Sequence, residues 1–81
     1  MRIEVLYFAS AREAAGIACE PLEVPEASTL ADLKSLLCDR HPALARALPA
    51  VRFAVGERFA PEAKRLSSGD RVALIPPVSG G

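Results

Sequence analysis

The chain has 81 residues, 51% of them hydrophobic, and its ten basic and ten acidic side chains cancel to a formal net charge of zero. That length supports one domain with one modest core and leaves little room for an active site with its own cofactor. The hydrophobic content excludes a disordered chain, and the balanced charge gives no footprint for nucleic acid or an anionic membrane.

Residues 2–9, RIEVLYFA, alternate Ile3, Val5 and Tyr7 against Glu4, Leu6 and Phe8. One face of that strand is apolar throughout and the other becomes apolar halfway along. SAREAAG then predicts a short helical turn stopped at Gly16, and ACEPLEV a second strand whose Pro21 suits a sheet edge. Thr29 and Asp32 match a capping box, and Leu30, Leu33, Leu36 and Leu37 recur at helical spacing, which predicts a helix over about residues 30–40. His41 precedes Pro42 and is read as a surface residue at the helix end, followed by a brief turn in PALARAL. VRFAVGERFA reads as two short strands around a turn at Gly56-Glu57, and SSGDRVALIPP as a turn at residues 68–70 leading into a strand over residues 71–75. Helices segregating to one face of a mixed sheet make an α+β domain spanning residues 1–81.

The chain closes on IPPVSGG, a tail without an acid, base, nucleophilic side chain or metal ligand. What remains reactive is the terminal carboxylate of Gly81. Pro76 and Pro77 lack amide donors and hold φ near −65°, so they stop the strand and send residues 76–81 outward as an extended tail. Six such residues reach roughly 20 Å at about 3.3 Å each, enough to enter a neighbouring protein's active site. Without a Cβ, Gly80 and Gly81 can thread a channel too narrow for other residues, with Val78 and Ser79 leading into it.

LYFASAREAAG at residues 6–16, the capped helix from Thr29 and LSSGDRVALIPPVSGG at residues 66–81 together resemble the small, sulfur-carrying subunit of molybdopterin synthase, of the ubiquitin-like β-grasp superfamily. Gly-Gly alone is shared with thiazole-pathway sulfur carriers and ubiquitin-like modifiers, whereas Gly-Asp-x-Val-Ala followed by Pro-Pro-Val-Ser-Gly-Gly points to the molybdenum-cofactor branch. Gly56 stands where family members commonly carry Asn, a change between two residues that tolerate turn geometry.

The resemblance implies a mixed sheet of four to five strands with one main helix packed across one face. It further implies that Gly81 is adenylated with ATP by an E1-like activating enzyme, converted to a thiocarboxylate by a sulfur donor protein, and read by the large synthase subunit in a heterotetramer. Sulfur would pass there to a cyclic pyranopterin monophosphate. The chain itself would bind no cofactor, metal, nucleic acid or membrane and would not catalyse alone. Phe8, Arg12, Phe59 and Ile75 are the expected partner-binding residues, with Phe8 and Ile75 side by side on the sheet face away from the helix. Thiamine or tRNA thiolation, conjugation to lysines and a plain interaction module are the competing functions.

The N-terminal stretch lacks the longer apolar core of a secretory signal, so a cytoplasmic protein is expected. Cys19 and Cys38 are accordingly read as free structural thiols, because their spacing fits no common zinc pattern and each has an acidic neighbour.

Overall fold

The computed structural model describes residues 1–77. Strand β1 (Arg2–Tyr7) leads into helix α1 (Ala9–Ala15), strand β2 (Cys19–Glu23) and helix α2 (Leu30–Arg40). Two 3₁₀ turns, Pro42–Arg46 and Leu48–Ala50, precede the hairpin of β3 (Arg52–Val55) and β4 (Arg58–Ala60), and β5 (Arg71–Ile75) comes last. The sheet order is β2-β1-β5-β3-β4, with β1 and β5 parallel and every other pair antiparallel. This is the ubiquitin-like β-grasp arrangement, five strands embracing one main helix.

Local chemistry accounts for most boundaries. The Thr29 hydroxyl accepts from the Asp32 amide at 3.2 Å while the Asp32 carboxylate accepts from the Thr29 amide at 2.9 Å, so α2 opens with both reciprocal bonds of a capping box. Helix α1 stops at Gly16, whose φ of 79° allows its amide to close back on the Arg12 carbonyl. The hairpin turn takes positive φ at both Gly56 (55°) and Glu57 (70°), the signature of the tight two-residue turn that matches strand twist.

Alternation decides what is buried. Ile3, Val5 and Tyr7 of β1, Leu22 of β2, Phe53 of β3 and Val72 and Leu74 of β5 meet Leu30, Leu33 and Leu37 of α2. Leu44 and Leu48, one from each 3₁₀ turn, complete the same core. The turns are 3₁₀ because Pro42 and Pro49 start them and no continuous helix can run through both.

Both sheet edges are blunted. Bonded pairs in the β1–β2 ladder recur every two residues between Tyr7 with Ala18 and Val24 with Met1, so the backbone at Pro21 faces outward. Pro21 therefore removes a donor that would otherwise template another strand. At the opposite edge the same alternation from Phe59 places Pro61 outward, directly after β4.

One expectation is overturned at the end of α2. His41 is not a surface residue: its side chain is 17% exposed, its ring meets that of Tyr7 edge-on at 5.7 Å, and its Nε2 lies 2.6 Å from the Glu20 carboxylate. Glu20 also accepts from the Tyr7 hydroxyl at 2.5 Å and from Arg40 Nε at 2.8 Å. Proline after His41 ended the helix as expected, but it turned the imidazole inward, where a buried carboxylate on β2 needs donors.

Burial by itself would raise the Glu20 pKa, but the bonds from Tyr7, His41 and Arg40 outweigh it and hold the carboxyl below its ordinary value. Burial, and then the bond to Glu20, push the Tyr7 phenol far up, so it remains a donor. Because the folded pKa of Glu20 is depressed, its stabilisation is complete above the unfolded carboxylate value of about 4.3 and is lost as pH falls through the folded value. Glu20→Gln is expected to cost about 1–3 kcal/mol at pH 7 and progressively less below pH 4, read by urea unfolding across pH. Ala27, at φ 65° in the loop before α2, carries left-handed strain. Ala27→Gly is expected to raise stability by about 0.5–1 kcal/mol in the same assay, and a loss would show that this loop is not strained.

Candidate functional site: the open sheet face and the exit of the last strand

Helices cover one face of the sheet, and the other is open. Cross-strand partners share a face, so the register carries Leu6, Ala73, Ala54 and Phe59 across β1, β5, β3 and β4 in a single row. The parallel register, Leu6 with Ala73 and Tyr7 with Leu74, brings Phe8 beside Ile75 one residue further on, where Phe8 keeps extended backbone angles of −125° and 151°. Phe8 and Ile75 line one shallow groove of about 560 Å³ together with Leu6, Ala54, Ala73 and Gly56. Phe8 is 49% exposed, a large apolar group left in water in that groove.

The rim is polar. Arg52, paired with Ile75 across β3 and β5, lays its guanidinium 3.8 Å from the centre of the Phe59 ring, and Phe59 is itself 55% exposed. Such stacking holds a cation and an aromatic in one pose, worth about 0.5–1 kcal/mol at an exposed position. Arg71 reaches the Glu4 carboxylate at 3.0 Å on the same face, an exposed pair that orients side chains more than it stabilises.

The expected partner-binding residues separate into three places. Phe8 and Ile75 share the groove, as the alternation implied. Phe59 occupies the same face one strand beyond, beneath Arg52, outside the groove itself. Arg12 is exposed on α1, in a separate depression with Ala9, Glu13 and Gly16. Leu6, Ala54, Ala73 and Arg52 are added by the structure. Their faces follow from period-two alternation, but their neighbourhood depends on inter-strand register, which no local pattern states.

The chain leaves the sheet from β5, between β1 and β3. Pro76 is buried and Pro77 exposed, so alternation continues one residue past the strand and Pro76 belongs to the packed domain. Of the two prolines expected in the tail, Pro76 is thus part of the packed domain and Pro77 is exposed. Val78, Ser79, Gly80 and Gly81 lie outside the described residues. Cys19 is exposed on β2 and Cys38 half-buried on α2. Among the described residues no group of three His, Cys, Asp or Glu side chains is arranged to hold a metal ion, and no helix is long and apolar enough to cross a membrane. The groove offers apolar contact beside the exit of the chain, with Glu57 and Arg71 as the charged residues of its lining.

Known proteins match this arrangement along its whole length. The sequence pattern of the ThiS family covers residues 5–81. The molybdopterin synthase sulfur carrier subunit of Chlamydomonas reinhardtii is 40% identical over 83 positions, with 100% of each chain covered. That of Homo sapiens is 36% identical, covering 99% of this chain and 94% of the relative. Among solved structures, SAMP1 from Haloferax volcanii superposes with a TM-score of 0.89 at 29% identity, with 100% of both chains covered. Carrying the fold, the length and the terminal pattern of these proteins, the chain belongs to the ThiS family.

Proposed function

We propose that this protein is the sulfur-carrying small subunit of a cytoplasmic molybdopterin synthase, with the Gly81 carboxylate as its reacting group. The observation that carries the reading is the departure of the last strand beside an open apolar groove, in a chain similar end to end to proteins named molybdopterin synthase sulfur carrier subunit. The groove suits docking to a large subunit and to an activating enzyme, while Pro77 to Gly81 suit insertion into their active sites.

The chemistry follows from the poverty of a carboxylate as an electrophile. Its charge is delocalised over two oxygens, so an activating enzyme must first transfer AMP from ATP to it and release pyrophosphate. A sulfur nucleophile at the oxidation level of hydrosulfide then attacks the acyl carbon, the C–O bond to phosphate breaks, and AMP leaves a thiocarboxylate. In the large subunit the thiocarboxylate sulfur attacks a carbon of cyclic pyranopterin monophosphate, a C–S bond forming as a C–O bond at that carbon breaks and its oxygen departs to phosphate or as water. Water hydrolyses the resulting thioester, leaving sulfur on the substrate and a carboxylate on Gly81. A second round completes the dithiolene. This chain supplies a positioned reagent, and the partners supply acid–base groups and substrate binding.

Position along the chain is the sharpest test. One alanine added after Gly81 displaces the carboxylate by about 3.8 Å, whereas attack requires the reacting atoms within about 3–3.5 Å. The extended chain is expected to lose adenylation and thiocarboxylation at least 100-fold while keeping its circular dichroism. The readout is the roughly 16 Da gain that marks exchange of oxygen for sulfur, and a normal gain in the extended chain would overturn the assignment. At the groove, Phe8→Asp is expected to weaken binding to the large subunit by about 2–4 kcal/mol in calorimetry, as for a buried anchor. Unchanged affinity would remove the groove from the interface.

A further inference from the structure

Adenylation exposes an acyl carbon to amines as well as to sulfur, so the chain's own amines matter. Only two of its basic side chains are lysines, Lys34 and Lys64, against eight arginines. A guanidinium stays protonated and is no competitor for an acyl group. The Met1 amino group donates to the Val24 carbonyl at 2.7 Å and lies 3.7 and 3.8 Å from Glu23 and Glu26. Lys34 Nζ is held 3.2 Å from Glu62 on a side chain only 28% exposed. Lys64 differs: it is exposed and makes no ion pair among the described residues.

Lys64 is also presented rigidly. Its amide donates to the Pro61 carbonyl at 3.0 Å and its carbonyl accepts from the Leu30 amide at 3.0 Å, which pins the turn to the start of α2. That end of the domain is opposite the one at which β5 ends. Helix α2 runs from Lys64 toward Arg40 and His41, which meet Glu20 beside the end of β1, and β5 runs parallel to β1 in the same direction. From Arg71 to Pro77 the extended chain advances about 20 Å at about 3.3 Å per residue, whereas the four residues after Pro77 span at most about 14 Å. The way back to Lys64 also goes around the domain. Lys64 remains open, however, on a second copy whose groove and tail are occupied.

We propose that Lys64 is the acceptor of self-conjugation: when activation outruns sulfur delivery, the adenylated C-terminus of one copy acylates Lys64 of another. The proposal rests on the adenylation reading above. The neutral Nζ attacks the Gly81 acyl carbon, a C–N bond forms, the C–O bond to phosphate breaks, AMP departs and the amine proton passes to solvent. ATP, through the activating enzyme, supplies the energy. The product is a dimer linked by one isopeptide, removed from the sulfur-carrying pool until it is cleaved.

The test incubates the full chain with its ATP-dependent activating enzyme, with and without a hydrosulfide source, and follows pyrophosphate release beside denaturing gels. Without sulfide, a covalent dimer is expected whose tryptic digest carries residues 72–81 as a branch on Lys64. Sulfide should suppress it at least tenfold. Lys64→Arg should abolish the dimer while leaving pyrophosphate release and thiocarboxylation unchanged, and Lys34→Arg should leave it intact. Pyrophosphate release with no dimer, or with the branch on Lys34 or Met1, overturns this inference and leaves the proposed function standing. Absence of pyrophosphate release with wild-type chain overturns both.

Discussion

The parallel pairing of β1 with β5 is the constraint on which the rest of the molecule depends. It sets the first strand beside the last, from Glu4 opposite Arg71 to Tyr7 opposite Leu74. Parallel neighbours cannot be joined by a tight turn, so everything between them must cross over, and α2 with its flanking turns is the crossover that covers the sheet. The same register makes β5 an interior strand, and the C-terminal segment therefore departs from the middle of the sheet with Phe8 as its neighbour. The juxtaposition of apolar groove and chain exit is a consequence of topology rather than of any local motif.

The two faces of the sheet divide the physical labour. On the covered face the apolar residues of the strands, the helices and both 3₁₀ turns meet, and the buried carboxylate among them, Glu20, is satisfied by Tyr7, Arg40 and His41. That knot joins β1, β2 and the last turn of α2 at the end of the sheet from which the tail leaves, and no buried side-chain polar atom among the described residues lacks a partner. On the open face Phe8 and Phe59 remain in water, and the charged groups at its rim, Arg52 over Phe59 and Arg71 with Glu4, hold their positions without covering the apolar centre. A surface left apolar beside a fully satisfied core is a physical contrast within one domain, since exposed apolar area of this size is uncommon on a lone monomer.

Edges complete that logic. With Pro21 facing outward on β2 and Pro61 following β4, neither side of the sheet offers a continuous row of donors. Assembly by strand addition is disfavoured at both sides. The open face and the exit of the chain are the two features that the interior position of β5 places together.

Much of this was legible in the residues. The capping box and leucine spacing bound α2, Gly16 ended α1, Gly56-Glu57 turned the hairpin, and Pro21 announced an edge, because each is a short-range effect of backbone geometry or side-chain bonding within a few residues. The terminal pattern likewise, through resemblance, indicated the family. Alternation even assigned Phe8 and Ile75 to one face. Register and long-range pairing were not legible, since they are settled by which strands the core brings together: Leu6, Ala54 and Ala73 joined the groove, and Arg52 its rim, only through partners on other strands. His41 was misjudged for the same reason. Nothing near it in sequence revealed that Glu20, twenty-one residues earlier, would be buried on β2 and require its nitrogen. The sequence by itself determined the local elements and the family; the tertiary structure alone decided which side chains gather around the chain's exit, because that gathering is a property of strand order.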